Sequence, residues 1–193
     1  MESNSTRAGQ PSKSEPSSRV DQTKRAYWRA EYADKIKSAE KAMQLVRRGH
    51  RVFIGSGCGE PQHLVRALEH VAIELADLEV LHLLSLGRTS YTDETFRDKV
   101  RLKSLYVASG SRQAVAEGRA DYTPIYLFDV PDLFHSGHTP VDVALIQVSP
   151  PDEHGYCSFG IAVDIVKAAA ANANVVIAQV NPRMPRVLGD SYI

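Results

Sequence analysis

RVFIGSGCGEPQHLVRALEHVAIELA, residues 51–76, decides the fold class. It opens on a short apolar run with β-branched and aromatic side chains, passes through a glycine-rich turn, and continues into a segment with apolar residues at three- and four-residue spacing. A buried strand, a tight turn and an amphipathic helix in that order are the first half of a β-α-β unit.

The same alternation continues outward. Apolar runs at 78–84 (LEVLHLL), 105–108 (LYVA), 125–128 (IYLF), 142–148 (DVALIQV) and 175–180 (VVIAQV) read as further buried strands. Helical stretches at 62–76, about 111–117 and 163–173 fall between them, so the expectation is an α/β fold with a largely parallel sheet and flanking helices. Upstream, Tyr32, Ile36, Ala39, Met43 and Val46 recur at helical spacing from Tyr27 on, with Gly49 as a stop. Residues 1–24 carry Ser, Pro and charge with almost no large apolar side chain, and are expected to be a disordered leader to one domain over 25–193.

Composition excludes several function classes. Lys plus Arg equals Asp plus Glu, 23 each, so no net field favours nucleic acid or an anionic membrane as partner. No apolar run approaches the roughly 18–20 residues of a membrane helix. Cys58 and Cys157 lie far apart without zinc-like or CxxC spacing, which fits reduced thiols and a cytoplasmic location. No HExxH or paired CxxC points to a metal.

Two segments could carry chemistry. GSGCGEP, 55–61, sits between a strand and a helix, where backbone N–H groups and a helix N-terminus suit a phosphate, carboxylate or thioester carbonyl. Glu60 stands where the dinucleotide fingerprint needs its third glycine, and no GK[ST] follows, so neither nucleotide motif is present. SPPDEHGYCSFG, 149–160, follows the strand DVALIQV at the end where parallel sheets place ligands. Asp152, His154 and Cys157 lie too close on one loop to converge as a triad. Arg119 and Asp121 read as local capping and pairing groups, and His82 as a core histidine.

Taken together, the stretch from Trp28 through GSGCGEP, then EGRADYTPIYLFDVPDLF, VDVALIQVSPPDEHGYCSFG and QVNPRMPRVLGDSYI, resembles the acetyl-CoA hydrolase and acetate or 4-hydroxybutyrate CoA-transferase family. The resemblance implies the N-terminal domain of a class I CoA-transferase, an α/β half whose active site lies against a second half. It implies a CoA thioester and a small carboxylate as substrates, with no bound cofactor. The reaction would run through a glutamyl-CoA thioester. No residue here matches the motif around the family's nucleophilic glutamate, so Glu60, Glu117 and Glu153 do not inherit that role and no catalytic residue is assigned. Gly55, Gly57, Gly59 and Pro61 are expected to face the acyl or carboxylate end of the substrate. Ser149, Pro150, Asp152 and Gly155 would form a pocket wall. At 108–115 relatives tend to carry an asparagine before the arginine, where this chain has Gly110 and Ser111.

The chain ends at Ile193 on an extended apolar pair, which reads as a truncation. The expected partner is therefore a C-terminal half or second subunit, and an unfinished sheet also leaves homo-oligomers open. The alternative reading is a non-catalytic remnant or docking subunit that retains the fold.

Overall fold

A computed structural model describes residues 27–87 and 89–193. The leader expected over 1–24 lies outside them. Six strands, β1 (Arg51–Ile54), β2 (Leu78–His82), β3 (Val100–Ser104), β4 (Ala120–Tyr122), β5 (Val141–Val148) and β6 (Ala173–Val180), form one sheet. Their order is β4-β3-β2-β1-β5-β6 and every pairing is parallel, as the α/β alternation predicts.

Helices cover both faces. On one lie α1 (Ala39–Met43), α2 (Gln62–Leu75) and α3 (Ser109–Ala116), which pack onto Val52, Ile54, Val80, Leu102, Val143 and Leu145. On the other lie α4 (Val130–His135) and α5 (Val166–Asn172), against Phe53, Leu81, Ala144, Ile146 and Val148. Alternate residues of each central strand feed opposite cores, the period-two geometry of a strand buried on both sides. The placement follows from handedness. Right-handed crossovers stepping from β1 toward β4 put their helices on one face, and those stepping back to β5 and β6 put theirs on the other.

The direction in which successive strands are added to the sheet therefore reverses between β1 and β5, which are parallel neighbours with Val52 opposite Val143 and Ile54 opposite Leu145. The crevice outside the carboxyl ends of such a strand pair is where open parallel sheets bind ligands. GSGCGEP leaves β1 there, and SPPDEHGYCSFG leaves β5 beside it.

Three expectations need correction. The third and fourth strands are not 105–108 and 125–128 but Val100–Ser104 and Ala120–Tyr122. Near the sheet margin a strand buries less, alternate residues in VRLKS and Ala120 alone in ADY, so both lack the continuous apolar run of a central strand. IYLF instead forms a loop and the 3-10 turn Leu127–Asp129, with its aromatics exposed. The helix expected from Tyr27 to Val46 is interrupted: residues 27–31 are helical, and α1 starts afresh where the Ser38 hydroxyl accepts the Lys41 N–H at 3.2 Å. Ile36, read as part of the stripe, is 42% exposed between the two pieces.

Candidate functional site

The first loop is held by its own backbone. Gly55 N–H donates to Leu145 O at 2.8 Å, extending the β1–β5 pairing by one residue. Gly57 N–H donates to Leu84 O at 2.7 Å, and the N–H groups of Gly59 and Glu60 close a 3-10 turn onto Ser56 and Gly57. Four donors that could have faced a ligand are thus turned into the fold. Gly57 takes φ +56, a left-handed conformation that favours glycine, and Cys58 beside it is exposed. At the start of α2, His63 N–H donates to Gln179 Oε1 at 3.0 Å, so the end of β6 satisfies one donor of that helix terminus. Gly55, Gly59 and Pro61 are buried, and Gly57 is half-buried with open space where a Cβ would stand.

Glu60 is 3% exposed and anchors this loop to the segment after β2. Its Oε2 accepts Ser85 Oγ at 2.7 Å and the N–H groups of Leu86 and Gly87 at 3.2 and 3.3 Å. The Gln62 side chain lies against the same carboxyl, yet Oε1 is buried without a hydrogen-bond partner. Burial pushes the Glu60 carboxyl above the usual range, and the bonds from Ser85, Gly87 and Leu86 oppose that rise.

Behind Ser85 a second buried group continues across the carboxyl ends of β2 and β3. His82, 1% exposed, has Nδ1 3.1 Å from Tyr91 Oη and Nε2 3.2 Å from Ser104 Oγ. Ser104 Oγ donates to Tyr106 O at 2.7 Å, so it receives the Nε2–H, and Nδ1 accepts the phenol. The imidazole is neutral, with burial pushing its pKa from 6.5 down to about 4. Burial also raises the Tyr91 phenol, which has Ser85 and Glu60 as polar neighbours. His82 is the core histidine that the sequence indicated, with every polar atom of its ring satisfied.

The second loop is held from outside. Asp152 Oδ1 accepts the N–H groups of His154 and Tyr156, both at 2.9 Å, and Oδ2 pairs with Arg186 Nη2 at 2.8 Å. Arg186 Nη1 donates to Pro150 O and Tyr156 O, each at 3.1 Å, and to Ser149 Oγ at 3.3 Å. Its guanidinium lies 5.2 Å from the Tyr192 ring centre. Burial would raise the Asp152 carboxyl, but the Tyr156 and His154 amides and the Arg186 charge outweigh it and hold the group below its usual range. Ser149 Oγ also accepts Ser158 N–H at 2.9 Å. Gly155, at φ +86, leaves room for Tyr32, whose hydroxyl would lie 2.7 Å from a Cβ there.

Two contacts tie the first loop to the stretch between the second loop and α5. A Cβ on Gly59 would stand 2.5 Å from Ala162 Cβ, so the absence of a side chain lets the first loop approach the chain just past the second. Ser56 Oγ donates to Asp164 Oδ2 at 2.6 Å, while Asp164 Oδ1 accepts the Val166 N–H at the start of α5. The first segment singled out in sequence thus touches the stretch that follows the second, at Ala162 and Asp164. Ser149 and Asp152 make bonds within and beneath their loop.

Sequence reasoning passed over Asp164, Ser85 and Arg186. Arg186 lies 34 residues from Asp152 with no periodicity linking them, and only the MPR of the family resemblance marked its neighbourhood. Cys157 is half-buried, with its thiol raised chiefly by burial, and His154 is exposed toward Glu153. They form no nucleophile-base pair. Among the described residues no group of three or more His, Cys, Asp or Glu side chains could hold a metal ion, and no helix is long and apolar enough to cross a membrane. The Gly110 departure allows a close approach: a Cβ there would lie 2.7 Å from Thr89 Oγ1.

The family described as acetyl-CoA hydrolase/transferase N-terminal domain matches residues 17–193. Over 166 residues the chain is 46% identical to the 4-hydroxybutyrate coenzyme A transferase of Clostridium kluyveri, covering 86% of this chain and 39% of that protein. It is 39% identical over 158 residues to the succinyl-CoA:acetate/propanoyl-CoA:succinate CoA transferase of Fasciola hepatica, covering 81% and 33%. Among solved structures, 4-hydroxybutyrate CoA-transferase from Porphyromonas gingivalis aligns with a TM-score of 0.70 at 32% identity, covering 86% of this chain and 38% of that one. RipA from Yersinia pestis aligns at 0.79 and 26%, covering 86% and 41%. The chain spans well under half the length of each of these relatives.

Proposed function

Because the chain belongs to the acetyl-CoA hydrolase/transferase family as its N-terminal domain, we propose that it supplies one wall of a site that exchanges CoA between small carboxylic acids. The observation that carries this reading is the packing of 55–61 on the chain just past 149–160 at the β1–β5 switch point, through Gly59 against Ala162 and Ser56 on Asp164. Gly55, Gly57, Gly59 and Pro61 would face the acyl end of the substrate, with Ser149, Pro150, Asp152 and Gly155 as the opposing wall. Internal bonding of these residues supports positioning rather than reaction: the loops are fixed before substrate arrives, and their shape is their contribution.

The nucleophile in this reading belongs to the polypeptide that follows the domain. A glutamate carboxylate there attacks the thioester carbonyl, the C–S bond breaks, and CoA departs as thiolate from an acyl-glutamyl anhydride. The thiolate then attacks the glutamyl carbonyl and releases the first carboxylate. An acceptor carboxylate reverses both steps and leaves with CoA, and water at the same stage gives hydrolysis. Glu60 fits no such role. A nucleophile needs a free, exposed carboxylate, and Glu60 is buried with one oxygen accepting three donors.

The test is CoA transfer from acetyl-CoA to 4-hydroxybutyrate or acetate. It is measured on the purified chain and on the chain co-expressed with the C-terminal remainder of the Clostridium kluyveri relative. The reading expects no turnover from the chain alone and transfer from the complemented pair. Turnover by the chain alone, or a stable pair that transfers nothing, would count against it.

A further inference from the structure

The two edges of the sheet differ sharply in what they show to solvent. At the amino edge the connecting loops are 44–50, 76–77, 97–99, 117–119 and 136–140, and among them Leu45 alone is an exposed large apolar side chain. At the carboxyl edge Leu86, Tyr106, Tyr122, Leu127 and Leu188 are all exposed, and Tyr126 and Phe128 are 74% and 78% exposed. The densest group lies at the β3–β4 corner. Tyr122 ends β4, the aligned β3 residue Ser104 precedes Tyr106 by two, and the Tyr126 and Phe128 rings stack with centroids 5.8 Å apart. Aromatic side chains of this size left in water at one place are the composition of an interface core.

The course of the chain says what covers them. Residues 191–193 pair antiparallel with 157–159: Cys157 and Ile193 exchange two backbone hydrogen bonds at 2.9 Å, and Phe159 N–H donates to Ser191 O. Ile193 is therefore fixed at the carboxyl edge, beside the second loop. The relatives continue well past the matched region, which is 39% and 33% of their lengths. In a protein of this fold, whatever follows residue 193 starts from that same edge.

We propose that the β3–β4 corner, with Tyr126 and Phe128 as anchors, is the docking surface for the polypeptide that follows the N-terminal domain in this family, whether joined to it or supplied as a separate chain. The carboxyl edge is then divided by function. Its aromatic corner holds the second half in place, and the glycine-rich crevice between β1 and β5 stays open for substrate. This rests on the reading of the chain as one half of a CoA-transferase, and it adds the surface that reading leaves unassigned.

The test captures the tagged chain after co-expression with the C-terminal remainder of the Clostridium kluyveri relative. It compares the native sequence with Tyr126→Ser/Phe128→Ser and with Ile73→Ser, an exposed apolar side chain on α2. Thermal unfolding of each chain confirms that the substitutions leave the fold intact. The expected result is capture of the partner by the native and Ile73→Ser chains, with at least tenfold less on the double variant. Equal capture by the double variant overturns the surface while leaving the proposed function standing. Absence of capture by the native chain overturns docking altogether, as do homodimers that the same double substitution dissociates. A pair that depends on Tyr126 and Phe128 yet transfers no CoA keeps the surface and sinks the proposed function.

Discussion

The loops at 55–61 and 149–160 leave neighbouring strands at one edge of one sheet, yet they are held in opposite ways. The first is fixed from below, by bonds to Leu145 and Leu84 and by Glu60, which is buried on Ser85 next to the Tyr91–His82–Ser104 chain. The second is fixed from the side by Arg186, a single side chain that touches Ser149, Pro150, Asp152 and Tyr156. A site can therefore be built from two walls with separate failure modes, one sensitive to the protonation of the core and the other to one cation.

Acid separates them with the largest expected effect. The unfolded chain protonates His82 as pH falls through the ordinary histidine value, whereas the folded chain refuses that proton until about pH 4. Stability from this group is thus present above the ordinary value and lost as pH falls toward 4, on the order of 3 kcal/mol in all. Glu60, with its pKa raised, works against this trend, since protonating it favours the folded state. The cleanest reading is therefore the difference between the native chain and His82→Gln. The native midpoint should fall more steeply between pH 7 and pH 5, measured by thermal unfolding. The Arg186–Asp152 pair should persist through that window, because Asp152 titrates below its usual range.

Arg186→Ala attacks the other wall. Removing a guanidinium that makes four hydrogen bonds should cost about 2 kcal/mol. Amide hydrogen exchange should quicken at 150–157 and 187–193 while 55–61 stays protected. Faster exchange in both loops would show that they are one unit.

The glycines give effects of equal size or smaller. Gly59→Ala forces a methyl onto Ala162 and should cost about 2 kcal/mol by overpacking. Gly57→Ala meets open space and pays only for its left-handed backbone, about 1 kcal/mol. Equal midpoints for the two variants in urea unfolding would mean that the first loop does not press on Ala162 there.

Much of this was legible in the sequence. Apolar runs in VFI, LEVLH and VDVALIQV marked the central strands, because a strand buried on both faces needs apolar residues throughout, and VVIAQV marked the edge strand β6 although it is mostly not buried. The same rule misplaced β3 and β4, where VRLKS buries alternate residues, ADY buries only Ala120, and the more apolar LYVA and IYLF lie just beyond them. Position after β1 and β5 marked both site loops. The groups that hold those loops were not legible, because Glu60 on Ser85 and Asp152 on Arg186 join positions 25 and 34 residues apart, and no local spacing encodes such a pairing. Exposure at Tyr126 and Phe128 was equally hidden, since in sequence an interface aromatic and a core aromatic look alike.

The central claim is that this domain shapes the site and the following polypeptide supplies the nucleophile. It is tested most directly by incubating the co-expressed pair with acetyl-CoA, trapping the glutamyl thioester by borohydride reduction, and mapping the modified peptide by mass. The account predicts the modification on the C-terminal partner and none on this chain. A modified Glu60, Glu117, Glu153 or any other residue among these 193 would contradict it.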